Sequence, residues 1–163
     1  MADFLWRSLV VGIGGTAAMD IWALFLKAAF AQTLPNWGMV GRLFAHVGRG
    51  TMFHDDIAKA APVANESAIG WIAHYVIGII YAGILIALAG QAWVASPTFM
   101  PALVVGLVTV GAGWFILQPG MGAGWAASLR PNPWKTRALN IAAHVVFAAG
   151  LYGTALLMAS PGA

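Results

Sequence analysis

Five polar residues interrupt the apolar stretches of this sequence, and their types are suited to chemistry in an apolar environment. They are one acid, two imidazoles and two amides: Asp20, His74, Gln118, Asn140 and His144. At a rise of about 1.5 Å per residue, the acid and the two imidazoles each lie roughly 10 to 12 Å along a helix from the nearest charged residue. Ionisable residues at such a depth in a membrane usually face other helices and mark a functional site. The sequence therefore predicts one polar site, or small cavity, at a common depth.

The chemistry of this predicted site has four interpretations, and the spacing does not choose among them. Asp20, His74 and His144 offer two imidazoles and a carboxylate, which are ligands that suit zinc or iron. The two histidines, on separate helices, are also suited to axial ligation of a haem. Chains of Asp and His carry protons or ions in pumps and transporters. The fourth interpretation is an internal hydrogen-bonded network without any ligand.

A second polar cluster lies between the first two apolar stretches and contains His46, His54, Asp55 and Asp56. Adjacent imidazoles and carboxylates are able to hold a cation or to act in acid and base chemistry. Consecutive residues rarely converge on one point, which favours a solvated, helix-capping role over a functional one. If the cluster is functional, we expect it to form an entrance to the first site.

The segment from Gln118 to Gly122 is predicted to end a helix at membrane depth, because it contains Pro119 between an amide and a glycine. Backbone groups freed by such a break must find partners in protein or in a wet cavity. The break therefore supports a cavity next to Gln118.

The composition shows which elements must position these residues. Of 163 residues, 61% are hydrophobic and 8% are charged, whereas an ordinary soluble domain is about a quarter charged. No Asp, Glu, Lys or Arg occurs between Glu66 and Arg130, a distance several times the ~20 residues of one membrane-spanning helix. A water-soluble globule is thereby excluded, and the chain must cross a bilayer more than once.

Four stretches are apolar and long enough to span a membrane: about 8–26, 67–90, 98–118 and 138–159. We therefore predict an all-α, polytopic membrane protein, a four transmembrane helix bundle forming a single membrane domain over 1–163. In the connection 32–66, four apolar residues recur at helical spacing and predict a short interfacial helix: Val40, Leu43, Phe44 and Val47. Glycines within the spans indicate close helix packing.

The basic residues predict the orientation. Seven of the eight lie in or beside the first and third connections: Lys27, Arg42, Arg49, Lys59, Arg130, Lys135 and Arg137. Because connections rich in Lys and Arg stay in the cytoplasm, both termini are expected outside it, in a bacterial inner (plasma) membrane.

Several functional classes are excluded by what the sequence lacks. There is no cysteine, and the net charge of +3 is too small and scattered for nucleic-acid binding. No nucleophile elbow, phosphate-binding loop, dinucleotide fingerprint or HExxH pattern occurs. The common soluble enzyme classes are therefore poor candidates.

Motifs along nearly the whole chain resemble one bacterial membrane family. They are Gly12 to Thr16 with Met19, Asp20 and Trp22; Val40 to Arg42 with His46, Gly50 and His54; Gly70, Trp71, His74, Tyr75 and Gly78; Gln118 to Gly122; Pro131 to Pro133; His144; and Gly150 to Tyr152. The sequence is similar to the family called domain of unknown function 2938. The resemblance implies a small multi-span inner-membrane protein and carries no established activity or catalytic residue.

The leading functional hypothesis is a non-enzymatic membrane protein that binds or passes a small solute or a proton. The first alternative is a metal-binding or haem-binding membrane protein with redox or hydrolytic chemistry, and only this alternative implies a cofactor. The second is an accessory subunit of a larger membrane complex. The expected partners are the lipid bilayer and a second copy of the chain or a membrane complex, with no nucleic acid.

Overall fold

The computed structural model describes residues 1–159, and the fold in these residues is all-α, without a strand. The α-helices are α1 (Ala2–Phe30), α2 (Trp37–Val47), α3 (Glu66–Ala95), α4 (Phe99–Ala112), α5 (Gln118–Gly120) and α6 (Pro133–Met158). A π-helical segment, Gly113–Leu117, joins α4 to α5, and two short 3₁₀ turns occupy Ile57–Lys59 and Trp125–Ala127.

Four helical stretches are long and apolar enough to cross a membrane, as the sequence predicts: Ala2–Phe30, Glu66–Ala95, Phe99–Gly120 and Pro133–Met158. The first and last begin earlier than predicted, because charged residues are accommodated within the helices. Arg7 pairs with Asp3 one turn away, at 2.9 Å. At the start of α6, Asn132 Oδ1 accepts the backbone N–H of Lys135 at 3.1 Å and caps the helix ahead of its basic residues.

The second and third spans also extend beyond their predicted ends. Helix α3 continues to Ala95 past Gly90, whose φ of 77° interrupts the helical backbone at the predicted boundary. Only glycine adopts such a φ without strain, so the break falls where the sequence allows it.

The predicted break at Pro119 is a widened helical turn. Proline has no N–H to donate. Immediately before it, the backbone N–H of Gln118 bonds to the carbonyl of Gly113, five residues back, instead of the usual four. The helix therefore passes through the π-helical segment and ends at Gly120.

The described chain divides into two compact units. Unit 1 contains Met1–Leu34, Tyr75–Thr109 and residues 142–159, and unit 2 contains Pro35–His74 and Val110–Ile141. The single domain over 1–163 stays a prediction.

Unit 1 is built from parts of α1, α3, α4 and α6. Their buried side chains form one hydrophobic core, which includes Val11, Leu85, Ile86, Val105, Phe147 and Leu151. Glycine allows the helices to approach: a Cβ on Gly12 would overlap the backbone of Ile79 in α3, and one on Gly106 would lie 2.8 Å from the carbonyl oxygen of His144 in α6. Close packing of small residues is thus the basis of this unit.

In unit 2, α2 lies across the beginning of α3. A Cβ on Gly41 would overlap the carbonyl oxygen of Glu66, so the two backbones meet without an intervening side chain. The predicted short helix is present, but its apolar stripe is divided: Val40 and Leu43 are buried, whereas Phe44 and Val47 are exposed.

Candidate functional site

Arg42 of α2 is the centre of the polar contacts in unit 2. Its Nε and Nη2 each donate to a carboxylate oxygen of Glu66 at 2.9 Å. Its Nη1 lies 3.1, 3.2 and 3.0 Å from the carbonyl oxygens of Ile57, Ala58 and Ala60. The hydrogen bonds to Glu66 raise the pKa of Arg42 above its ordinary value, because they favour the charged guanidinium. One side chain therefore fastens the connection after α2 to the start of α3.

His46, which lies one turn after Arg42 in α2, forms a direct pair with His54 in the connection that follows the helix. Nδ1 of His46 lies 2.8 Å from Nε2 of His54. The outer nitrogens of the pair face backbone carbonyl oxygens: Nε2 of His46 lies 3.0 Å from Ala61, and Nδ1 of His54 lies 3.0 Å from Gly120. All four ring nitrogens thus have a partner within the protein, and none is directed to a cation in this arrangement.

The chain around His54 lies against the end of the third span. The backbone N–H of His54 donates to the carbonyl of Gly120 at 3.1 Å, and that of Ile57 donates to Met121 at 3.2 Å. Gly122 has a φ of 80°, and a Cβ there would overlap the carbonyl of Asp55. Glycine is required here for both conformation and space.

The two acids of the second cluster have different positions. Asp56 Oδ1 accepts the N–H of Ala58 at 3.0 Å, which is the capping role that the sequence left open. Its Oδ2 lies 3.9 Å from Nζ of the exposed Lys59. The exposed Asp55 contributes its backbone to the contact with Gly122. The structure therefore joins His46 to His54 and uses Asp56 to shape the following turn.

Gln118 and Asn140 form an amide site together with Trp114. Asn140 Oδ1 accepts from Gln118 Nε2 at 2.9 Å and from Trp114 Nε1 at 3.1 Å. Gln118 Oε1 is buried and has no hydrogen-bond partner. Gln118 and Asn140 are thus in direct contact, and one strong acceptor of this site has no partner in the described residues.

Asp20 and His144 have partners within unit 1. Tyr75 Oη donates to Asp20 Oδ2 at 2.8 Å. His144 Nδ1 lies 3.0 Å from the carbonyl oxygen of Gly106 and 3.1 Å from Thr109 Oγ1. Since a carbonyl oxygen only accepts, Nδ1 carries the proton, and Nε2 of a neutral His144 is an acceptor.

His74 belongs to unit 2, where its ring stacks on that of Trp37 with centroids 4.0 Å apart and an interplanar angle of 28°. Trp71 meets the same imidazole edge to face at 6.0 Å. His74 is therefore held in an aromatic environment formed by α2 and α3.

Within residues 1–159, no group of three or more His, Asp or Glu is arranged to hold a metal ion. The metal interpretation of Asp20, His74 and His144 gains no support from this geometry. A small apolar pocket lies in unit 1 between Arg7, Val11, Ile86, Trp93 and neighbouring residues, with room for about one water molecule. It includes none of the predicted site residues.

Four hydrogen-bond donors in these contacts are not among the site residues predicted from the sequence: Arg42, Tyr75, Thr109 and Trp114. Each has a donor group in or beside an apolar segment, and a buried donor needs a partner. Applied to the apolar stretches, this rule would have predicted hydrogen-bond partners for Tyr75, Thr109 and Trp114. For Arg42 the signal is weaker, because charged residues in connections are commonly solvated.

The four apolar helices and the polar side chains between them define the class: an all-α protein whose helices have the length and composition of membrane spans. The chain belongs to the family described as protein of unknown function (DUF2938), which matches residues 9–158. The resemblance seen in the sequence motifs is thereby confirmed over nearly the whole chain. No curated protein and no solved structure matches the chain.

Proposed function

We propose that this chain is an integral inner-membrane protein that binds and passes a proton or a small polar solute at the amide site of Trp114, Gln118 and Asn140. The observation that carries the proposal is the buried Oε1 of Gln118, which has no partner. Leaving a buried acceptor unsatisfied costs about 1–3 kcal/mol. A ligand that donates a hydrogen bond removes that cost, so the site favours donors such as water, a hydroxyl group or a protonated solute.

The backbone around Gln118 supports the same proposal. π-Helical turns occur often at functional sites, because they widen a helix and reposition its side chains. Here the widened turn Gly113–Leu117 carries Trp114 and immediately precedes Gln118. The amide nitrogen of Gln118 is fixed by Asn140 at 2.9 Å, so its oxygen is presented in a defined orientation.

For the membrane, we propose the orientation given by the basic residues, with the first and third connections in the cytoplasm. Arg42, His46 and His54 lie in the first connection or in the helix within it, and Gly120 to Gly122 begin the third. Both connections contribute to unit 2. The amide site would then open towards the cytoplasmic side.

The test is flux into lipid vesicles that contain the full chain. Proton flux is followed with an enclosed pH-sensitive dye under an imposed membrane potential. Solute flux is followed by light scattering after an osmotic step with urea or glycerol. We expect flux above that of protein-free vesicles in one of the two arms, and we expect Gln118→Leu and Asn140→Leu to abolish it.

Ser8→Ala is the matched control for these variants. Ser8 is buried and bonds to the carbonyl of Phe4 within its own helix at 2.8 Å. Its replacement also removes a polar group from a span, but leaves the amide site unchanged, so flux should persist. The proposal is overturned if the intact protein equals empty vesicles in both arms, or if Gln118→Leu conducts as well as Ser8→Ala.

A further inference from the structure

We infer that His46 and His54 together form a binding site for a single proton, held between Nδ1 of His46 and Nε2 of His54. The inference rests on the partners of the four ring nitrogens and not on the amide site. It therefore holds whether or not the chain passes a solute. The contact between the two rings is 2.8 Å long, within the range of a strong N–H···N hydrogen bond.

The proton count follows from the two outer contacts. A backbone carbonyl oxygen accepts and never donates, so each ring nitrogen that faces one must carry a hydrogen. This condition applies to His46 Nε2, which faces Ala61, and to His54 Nδ1, which faces Gly120, both at 3.0 Å. The inner contact needs one further hydrogen, because one nitrogen must donate and the other accept. The pair thus holds three ring protons, one more than two neutral imidazoles have.

Any other proton count breaks one of these contacts. With two protons, either the inner nitrogens oppose each other with two lone pairs, or an outer nitrogen directs its lone pair at a carbonyl oxygen. With four protons, two N–H groups oppose each other and the two rings carry like charges. The arrangement of one imidazole and one imidazolium is the one that satisfies all three contacts.

The surroundings do not supply a dominant charge. Arg42 is paired with Glu66 at 2.9 Å, and Lys59 approaches Asp56 at 3.9 Å. α5 contains no charged residue. The charged side chains on the elements that meet at the pair are Arg42, Arg49, Asp55, Asp56, Lys59 and Glu66. Since acids and bases are equal in number, the hydrogen-bond geometry is what fixes the extra proton.

The proton also ties elements of unit 2 together. His46 belongs to α2, and His54 bonds to Gly120 through both its backbone N–H and its Nδ1. Loss of the shared proton removes one of the contacts between α2 and the end of the third span. Above the ordinary histidine range of about pH 6.5, unfolded histidines are neutral, while the folded pair still binds one proton more.

The stability of unit 2 therefore falls as the pH rises above that range and the folded pair loses its proton. Well below the range, the unfolded chain binds two extra protons and the folded pair binds one, so stability falls in that direction as well. We expect the contacts of the pair to be strongest at the intermediate pH at which the folded pair holds three ring protons.

The test is nitrogen-15 NMR of the full chain, labelled at histidine, in lipid nanodiscs. The pair should lose its two titratable protons in two well-separated steps, each observed at both His46 and His54. Between the two steps, the pair should hold three ring protons, one of which lies between Nδ1 of His46 and Nε2 of His54. In His46→Gln and His54→Gln, the remaining histidine should titrate in one step. Arg49→Gln, which alters an exposed charge on the same connection, should retain both steps.

Hydrogen exchange gives a second measurement that needs no variant. The amide protons of His54 and Ile57, which bond to Gly120 and Met121, should lose protection as the pH rises and the shared proton leaves, relative to amides of α3 in unit 1. The inference is overturned if the two histidines titrate independently in the unaltered protein. It is also overturned if both are neutral, each with one bare nitrogen, where the His54 amide is most protected.

Discussion

The two units of the molecule satisfy their buried polar groups in different ways. In unit 1, hydroxyls bond within their own helix: Ser8 to the carbonyl of Phe4 and Thr16 to that of Gly12, both at 2.8 Å. In unit 2, cationic or imidazole side chains bond to carbonyls far away in the sequence, as His54 does to Gly120. Unit 1 also contains a contact of the second kind, from His144 to the carbonyl of Gly106 at 3.0 Å. Unit 2 concentrates such contacts on Arg42, His46 and His54, so it depends more strongly on directed bonds.

The largest expected effect is the loss of those directed bonds in Arg42→Ala. The change removes both hydrogen bonds to Glu66 and the contacts to three carbonyl oxygens. Amide exchange in α2 should become faster by about tenfold or more, whereas exchange in α1 should change little. Hydrogen exchange with mass spectrometry in detergent measures both helices in one experiment.

Two further variants show whether geometry or charge matters at this position. Arg42→Lys keeps the positive charge but lacks the planar guanidinium group. Its rate of amide exchange in α2 should therefore lie between those of the unaltered protein and Arg42→Ala. Arg49→Ala removes an exposed arginine close by and should have no such effect. Equal exchange in Arg42→Ala and Arg49→Ala would show that unit 2 does not depend on this guanidinium.

The next effect tests packing in unit 1. In Gly12→Ala the new Cβ overlaps the backbone of Ile79, and overpacking of this kind costs about 1–3 kcal/mol. Gly153→Ala is the control, because a Cβ there meets nothing within 4 Å. Alanine in a helix interior is favoured by about 0.5–1 kcal/mol over glycine. Denaturation in mixed micelles should show a lower free energy of unfolding for Gly12→Ala and a higher one for Gly153→Ala. Equal changes in the two variants would contradict the packing account.

The smallest effect isolates one contact of His144. Thr109→Val removes a hydroxyl that donates to the carbonyl of Gly106 in its own helix at 2.8 Å and also lies 3.1 Å from His144 Nδ1, and the change should cost about 1 kcal/mol. Thr16→Val removes a hydroxyl that bonds only to the carbonyl of Gly12 in the same helix, at 2.8 Å, and should cost less. The free energies of unfolding of the two variants give the difference directly. A larger loss of unfolding free energy in Thr16→Val would show that the hydroxyl contributes through its bond within the helix and not through His144.

Much of unit 1 was predictable from the sequence, because its determinants are local. Apolar runs of span length predict α1 and α6, and glycines such as Gly12 predict close helix contacts. The ends of the spans were less accurate, since Arg7 and Lys135 are accommodated by a nearby acid and a capping amide. Hydropathy measures composition, and these ends are determined by individual hydrogen bonds.

The contacts of unit 2 were not predictable in the same way. The sequence grouped His46 with His54, and it grouped Gln118 and Asn140 with three other residues in one predicted site, because shared polarity in an apolar chain suggests proximity. It did not indicate that His54 would face the carbonyl of Gly120. Backbone carbonyls carry no sequence signature, so a bond between a side chain and a distant peptide group becomes visible only when the fold is known.

The widened turn before Pro119 makes the amide site dependent on the number of residues as well as on their identity. A turn closed by an i to i−5 bond contains one residue more than an α-helical turn, and each α-helical residue rotates a side chain by about 100°. Deleting one residue between Trp114 and Gln118 would allow the segment to close as a regular α-helical turn, and it would change the spacing of these two side chains. The surplus residue of the widened turn thus sets how Trp114 and Gln118 meet Asn140.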